Sequence, residues 1–371
     1  MNFLNEQKST GLFAKDWLEI EELYNRKLWH QLTLKCLEFV NRQDVQQANV
    51  LIPMYEKFIT DFEHRINLLS LVEICLPIVR QFKDASLSVA FLEKLREKVK
   101  SEQEALVLVD SAIGAIYLEN KNLDMAKKYV EQTEPELNKL EGVTSVHGRF
   151  YEFTSNYYRT IGNHFEFYKN ALKFLGCVKY ENIPVSERHE RAFYLSLAAV
   201  LADGIYNFGE LLMHPILTAL NGTQDQWLVD LLYAFNRGDL EKFEALKSNW
   251  STQADLKAAE VKMRQKICLL CLMEMAFQRP ANNKQLSFSQ VSEKTKLPED
   301  EIELLVMRAL SLGLVKGSID QIDKKIFIGW VQPRVLDLNQ IKMMRQRLDC
   351  WSLEVNKMIG QVQSNAHEIL T

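Results

Sequence analysis

The sequence predicts a mostly α-helical protein in three parts: an N-terminal solenoid of helical hairpins, a winged-helix module with a small β-hairpin, and a long C-terminal helix built for a bundle. Three observations carry this. Glycine and proline number 14 and 8 in 371 residues, about half the usual share, so few breakers interrupt the chain. Apolar residues from about 16 to 280 recur at helical spacing and almost never alternate at period two. Beyond 280 the texture changes to two short helical patterns, two β-rich runs and a strict heptad. The expected divisions are 1–167 for the repeats, 168–335 for a second domain (helical over 168–281, winged helix over 282–335), and 336–371 for the last helix.

The repeats show as stripes. Leu68, Leu71, Val72, Cys75, Val79 and Phe82 form one, and Val109, Ile113, Ile116 and Tyr117 another, with polar joints such as "ENKN" at 119–122 between them. In "SAIGAIYLENKNLDMAKKYV", Gly114, Tyr117 and Ala126 stand 3 and 9 residues apart, the spacing of small and aromatic positions in tetratricopeptide-like repeats. The glycine is expected to let the paired helix approach, and the alanine to sit at the crossing. Tyr158 and Phe167 keep the 9-residue interval with Gly162 in the joint, although a bulky Phe replaces the alanine, and "LYNRKLWHQLTLKCLEF" at 23–39 is a looser echo. A plain irregular helical domain is the alternative reading.

After the linker "RPANNKQ", Ser287 and Gln290 form a capping box that starts a helix. Pro298 suits the first turn of the next, whose stripe is Ile302, Leu305, Val306, Ala309 and Leu310, and Gly313 stops it. The runs "LVKGSIDQI" and "IFIGWV", joined by Asp323, Lys324 and Lys325, read as a hairpin, or wing. An edge strand bearing Ile326, Phe327 and Ile328 is expected to pair with a neighbouring sheet. In the tail, Ile341, Met344, Leu348, Trp351, Val355, Met358 and Val362 are spaced 3, 4, 3, 4, 3, 4, and the register returns at Ile369. So narrow a seam argues for packing against other chains. The alternative is a helix folded back on its own domain.

Composition excludes several function classes. Net charge is -4 with pI near 6.1, without the basic bias of a nucleic-acid binder. The longest apolar run, "AFYLSLAAVLA", is too short to span a membrane, and no secretory leader opens the sequence. Six scattered cysteines fit a reducing cytosolic or nuclear setting. Two glycosylation triplets, at Asn221 and Asn249, are chance matches without a secretory route. Cys268 and Cys271 make a CxxC inside an apolar helical run, which reads as buried thiols rather than zinc ligands. Seven dispersed histidines, His189 beside Glu190 and His164 near Glu166 among them, lack a nucleophile or an oxyanion site. The expectation is no catalytic residue, no cofactor and no metal.

A winged helix invites a nucleic-acid reading, since its second helix leads into the major groove with its N-terminal residues. Here that end carries Glu299, Asp300, Glu301 and Glu303, with Arg308 the first basic residue, so phosphates would be repelled. The acids instead complement the helix dipole. Lys324 and Lys325 at the wing tip could touch phosphate, but exposed lysines there more often protect a hairpin from aggregation.

Helical repeats followed by a winged helix resemble the PCI family, whose members are scaffolds in the proteasome lid, the COP9 signalosome and a translation initiation factor. "LLYAFNRGDLEKFEAL" at 231–246, with Phe235, Gly238, Asp239, Leu240 and Phe243, is similar to the family's helical hairpin, and "LSFSQVSEKTKLPEDEIELLVMRALSLGLVKGSIDQIDKKIFI" to its winged-helix half. The resemblance, which extends to a lid member along essentially the whole chain, implies a non-catalytic subunit of a hetero-oligomer. Its winged helix would pack beside those of other PCI subunits, and its last helix would join a shared bundle that holds a deubiquitinase-type partner.

Overall fold

The computed structural model describes residues 13–365 apart from 49, 83, 280–283 and 336–337. The expected linker therefore falls largely outside the described residues, as does Ile369. The protein is mostly helical and divides into two compact units, 1–182 and 183–371.

The first unit is a series of helical hairpins: α1 (Ala14–Asn25) with α2 (Trp29–Val40), then α3 (Leu68–Val79), α4 (Ala85–Lys98), α5 (Gln103–Glu119) with α6 (Leu123–Leu137), and α7 (Ser145–Ile161) with α8 (His164–Cys177). Three of these hairpins turn in the same way. Lys27, Lys121 and Gly162 take left-handed φ values of 58°, 59° and 82°. The next amide then reaches back to a carbonyl five residues earlier: Leu28 to Leu23 at 3.1 Å, Asn122 to Tyr117 at 2.9 Å, and Asn163 to Tyr158 at 3.1 Å. This satisfies carbonyls that a helix end leaves orphaned. Asn122 and Asn163 also cap the following helix through their side chains. The division expected at 167/168 lies inside α8, which pairs with α7, and the compact unit runs on to Asn182.

Gly114 is buried, but a Cβ there would lie 2.4 Å from the Phe153 ring of α7. The close approach is thus to the next hairpin, not to the paired helix α6, which corrects the sequence expectation. Ala126 packs with Val130, Phe153 and Tyr157 at that crossing. In the second repeat Phe167 is buried in the small-residue slot.

The second unit opens with α9 (Val185–Leu201), followed by the hairpin α10 (Gln226–Arg237) and α11 (Leu240–Ala245), then the long α12 (Glu260–Gln278). The α10/α11 joint repeats the device of the first unit: Gly238 has φ 66°, Asp239 N donates to Ala234 O at 2.9 Å, and the Asp239 carboxylate caps Lys242 N at 3.2 Å. Phe235 meets Phe243 edge-on at 5.7 Å, and Phe243 stacks on Trp250 at 5.3 Å, which locks the hairpin.

The winged helix comprises β1 (Gln285–Ser287), α13 (Phe288–Thr295), α14 (Glu299–Ser311), β2 (Val315–Asp320) and β3 (Lys325–Val331). Ser287 and Gln290 cap α13 reciprocally. Pro298 is the residue before α14 rather than its first turn. The sheet is antiparallel with order β1-β3-β2, Leu286 and Ile319 both facing Ile326. Strand β1 was not anticipated, since three residues are too few to display a period. The chain ends in α15 (Leu338–Asn365).

Candidate protein interface

The segment between the sheet and α15 is strapped onto the helical part of its unit. Gln332 N donates to Leu314 O at 2.8 Å. The buried Arg334 guanidinium donates to Asn236 O at 3.1 Å and pairs with the Glu274 carboxylate. Val335 N donates to the Asn207 side chain at 3.3 Å, and Val335 lies against Gly209 so closely that a Cβ there would clash. The chain is held until three residues before α15 begins.

From that root α15 runs for 28 residues, about 42 Å at helical rise. Every described side chain from Ile341 to Asn365 is exposed. The seven seam residues Ile341, Met344, Leu348, Trp351, Val355, Met358 and Val362 are all exposed large hydrophobics, Trp351 at 64%. At 100° per residue Ile359 falls in the same stripe, while Met343 and Leu353 lie off it. Among the described residues no side chain of this helix is buried against its own chain, and helices in proteins derive most of their stability from burying an apolar face. Its stripe has the character of an interface surface.

The wing differs from expectation. Strand β3 is central, its backbone donors and acceptors shared between β1 and β2, so Ile326, Phe327 and Ile328 do not form a free edge. Ile326 and Ile328 point into the core, and of the three only Phe327 is exposed; three residues on, Trp330 is also exposed, with the Lys316 ammonium 4.8 Å from its ring. The correction has a physical reason: the missed strand β1 covers the side that sequence left open.

Two exposed residues of α14, Leu304 and Met307, lie outside its buried stripe of Ile302, Leu305, Val306 and Ala309. Sequence reasoning passed over them; their signal was apolar character at positions off the stripe. At the wing tip Ile322 is 96% exposed, presented by an Asp320 carboxylate that accepts from both Ile322 N and Asp323 N at 3.1 Å. The acids at the start of α14 are partly spent on this wing. Glu299 pairs with Lys324 at 3.0 Å, raising the lysine pKa through the hydrogen bond, and Glu303 accepts from Gln321 at 3.0 Å. Lys325 pairs with Asp323. The winged helix therefore offers acids and apolar side chains where a duplex reader offers base.

The remaining candidates resolve into structure. Cys268 and Cys271 are buried in α12, and desolvation pushes both thiols up to about 11. Among the described residues no group of three or more His, Cys, Asp or Glu side chains could hold a metal ion. His189 contacts Asp225 at 3.3 Å rather than serving Glu190, and His164 opens α8. Among the described residues no helix is long and apolar enough to cross a membrane.

Comparison with known proteins agrees with this layout. The family profile described as PSD13 N-terminal repeats matches residues 16–232, and the PCI domain profile matches residues 240–330. The chain is 36% identical over 381 residues to the 26S proteasome non-ATPase regulatory subunit 13 homolog B of Arabidopsis thaliana, covering 100% of this chain and 99% of that protein. It is 39% identical over 359 residues to the 26S proteasome non-ATPase regulatory subunit 13 of Dictyostelium discoideum, covering 95% and 93%. A translation initiation factor 3 subunit M of Phaeosphaeria nodorum reaches 21% over 76% of this chain. With a repeat profile over more than half the chain and end-to-end relatives above 30% identity, the chain belongs to the family of 26S proteasome non-ATPase regulatory subunit 13.

Proposed function

We propose that this chain is a non-catalytic structural scaffold subunit of the proteasome regulatory-particle lid, acting in cytoplasm and nucleus in support of ubiquitin-dependent protein degradation. Its partners are other PCI subunits and a deubiquitinase-type subunit of the lid. The observation that carries this reading is the seam of α15: a 28-residue helix, rooted by a buried ion pair and a strap, whose apolar stripe is exposed along its length. The strap holds the chain as far as Val335, and the seam supplies the burial that joins a bundle. The exposed wing residue Phe327 and the α14 face with Leu304 and Met307 are proposed as the second contact.

Replacing Leu348, Trp351 and Val355 together with Ser or Ala tests this. Burial of three such side chains is worth about 4–6 kcal/mol, roughly a thousandfold or more in affinity. The variant is expected to fold with an unchanged melting temperature and to lose co-purification of proteasome subunits. Normal incorporation of the variant would refute the assignment, as would a wild-type chain that recovers no proteasome subunit.

A further inference from the structure

The flanks of the α15 seam complement one another across a two-fold axis, and we propose that the free chain pairs with a second copy of itself through an antiparallel two-helix contact. The inference rests on the same seam as the proposed docking, but commits it to a different, mutually exclusive occupant. With Ile341, Leu348, Val355 and Val362 on one line of the heptad and Met344, Trp351 and Met358 on the other, the positions bordering the seam are Arg345, Arg347, Ser352, Glu354, Ile359 and Gln361. In an antiparallel pair centred between Asp349 and Cys350, Leu348 faces Trp351 of the second copy, Met344 faces Val355, and Ile341 faces Met358. Symmetry repeats each layer.

That register sets Arg347 beside Glu354 of the second copy, twice. A parallel in-register pair instead sets Arg347 beside Ser352 and Glu354 beside Ile359, with no opposite charges across the seam. Among the described residues neither Arg347 nor Glu354 enters an ion pair within its own chain, whereas Arg345 already sits 3.8 Å from Asp349. The charge pattern thus selects both the occupant and its direction. Self-pairing would cover the stripe on chains that have not yet met other subunits, and would be displaced by assembly.

Sedimentation equilibrium of the full-length chain at about 50 mM salt, where exposed charges are weakly screened, reads this directly. A reversible dimer is expected. Arg347→Glu, which creates two like-charge contacts, should weaken it about tenfold, and Glu354→Arg similarly. The double variant, Arg347→Glu with Glu354→Arg, should restore it. Circular dichroism confirms that each variant keeps its helix content. A monomer up to about 100 µM, an Arg347→Glu dimer of unchanged affinity, or no rescue by the double exchange would each overturn the proposal. Incorporation into proteasome assemblies is scored in parallel: a monomeric chain that still incorporates sinks self-pairing alone, and a dimeric chain that never incorporates sinks the scaffold assignment alone.

Discussion

Lys266 lies on α12 with its ammonium donating to three carbonyls at the C-terminal end of α9: Ala199 O at 2.8 Å, Val200 O at 3.1 Å and Ala202 O at 2.8 Å. The side chain is buried, and desolvation draws its pKa from 10.5 down to about 7. The ammonium thus occupies the place of a helix cap, in favourable alignment with the negative end of the α9 dipole. Lys266→Met should cost about 1–3 kcal/mol by leaving these carbonyls without their donor. The pH dependence has a definite sign. Between about 7 and 10.5 the unfolded chain holds a proton here that the folded chain has released, so this group adds stability as pH rises. The stability gap between wild type and Lys266→Met, measured by urea denaturation, should widen from pH 7 to about 9.5; a gap that stays constant or narrows would contradict this. Half-buried Arg96 and buried Asp110 make another contact between helices, α4 to α5, bidentate at 2.6 and 3.2 Å. Neither partner could be picked from the sequence, because each pairing is set by helices that meet only in the fold.

At the scale of elements, the hairpin joint is the recurring unit, and it explains why Gly238 belongs to the motif at 231–246. Its φ of 66° lies in the left-handed region, and a Cβ would come within 2.4 Å of the Cys271 Cα on α12. Gly162 has φ 82° but open space around it. Gly162→Ala should therefore cost only the backbone term, about 1–2 kcal/mol, while Gly238→Ala adds a clash with an immovable helix and should cost about 3 kcal/mol or more. Urea midpoints of the two variants compare them; equal losses would show that close approach contributes nothing at Gly238. Lys27 and Lys121 adopt the same conformation without glycine, so the joint itself tolerates a side chain where space allows. The sheet shows the opposite balance. Its β2–β3 hairpin was legible from two β-rich runs, but the three-residue β1 decided which strand is central, and that reversed the role of Ile326 and Ile328.

For the molecule as a whole, α15 adds length without adding core. Truncation after Val335 should leave the melting temperature of the rest within about 1–2 °C of the full chain, because no described side chain of α15 from Ile341 onward is buried. A drop of more than about 5 °C in a calorimetric scan would mean that the helix packs on its own chain. The strap through Arg334 and Val335 is retained in that truncation, so the test isolates the helix from its root.

The fold class, the repeats, the capping box at Ser287, the acids of α14 and the heptad seam were all determined by sequence, because each is a local pattern whose period or spacing reports one helix face or one turn. What only the tertiary structure decided are relations between distant segments: Gly114 against Phe153 rather than its paired helix, the carbonyl cage around Lys266, Glu299 on the wing lysine, the strap that roots α15, and β3 at the centre of the sheet. Periodicity states which face of an element is apolar. Only packing states what that face meets, and for the seam of α15 nothing within the described chain covers it.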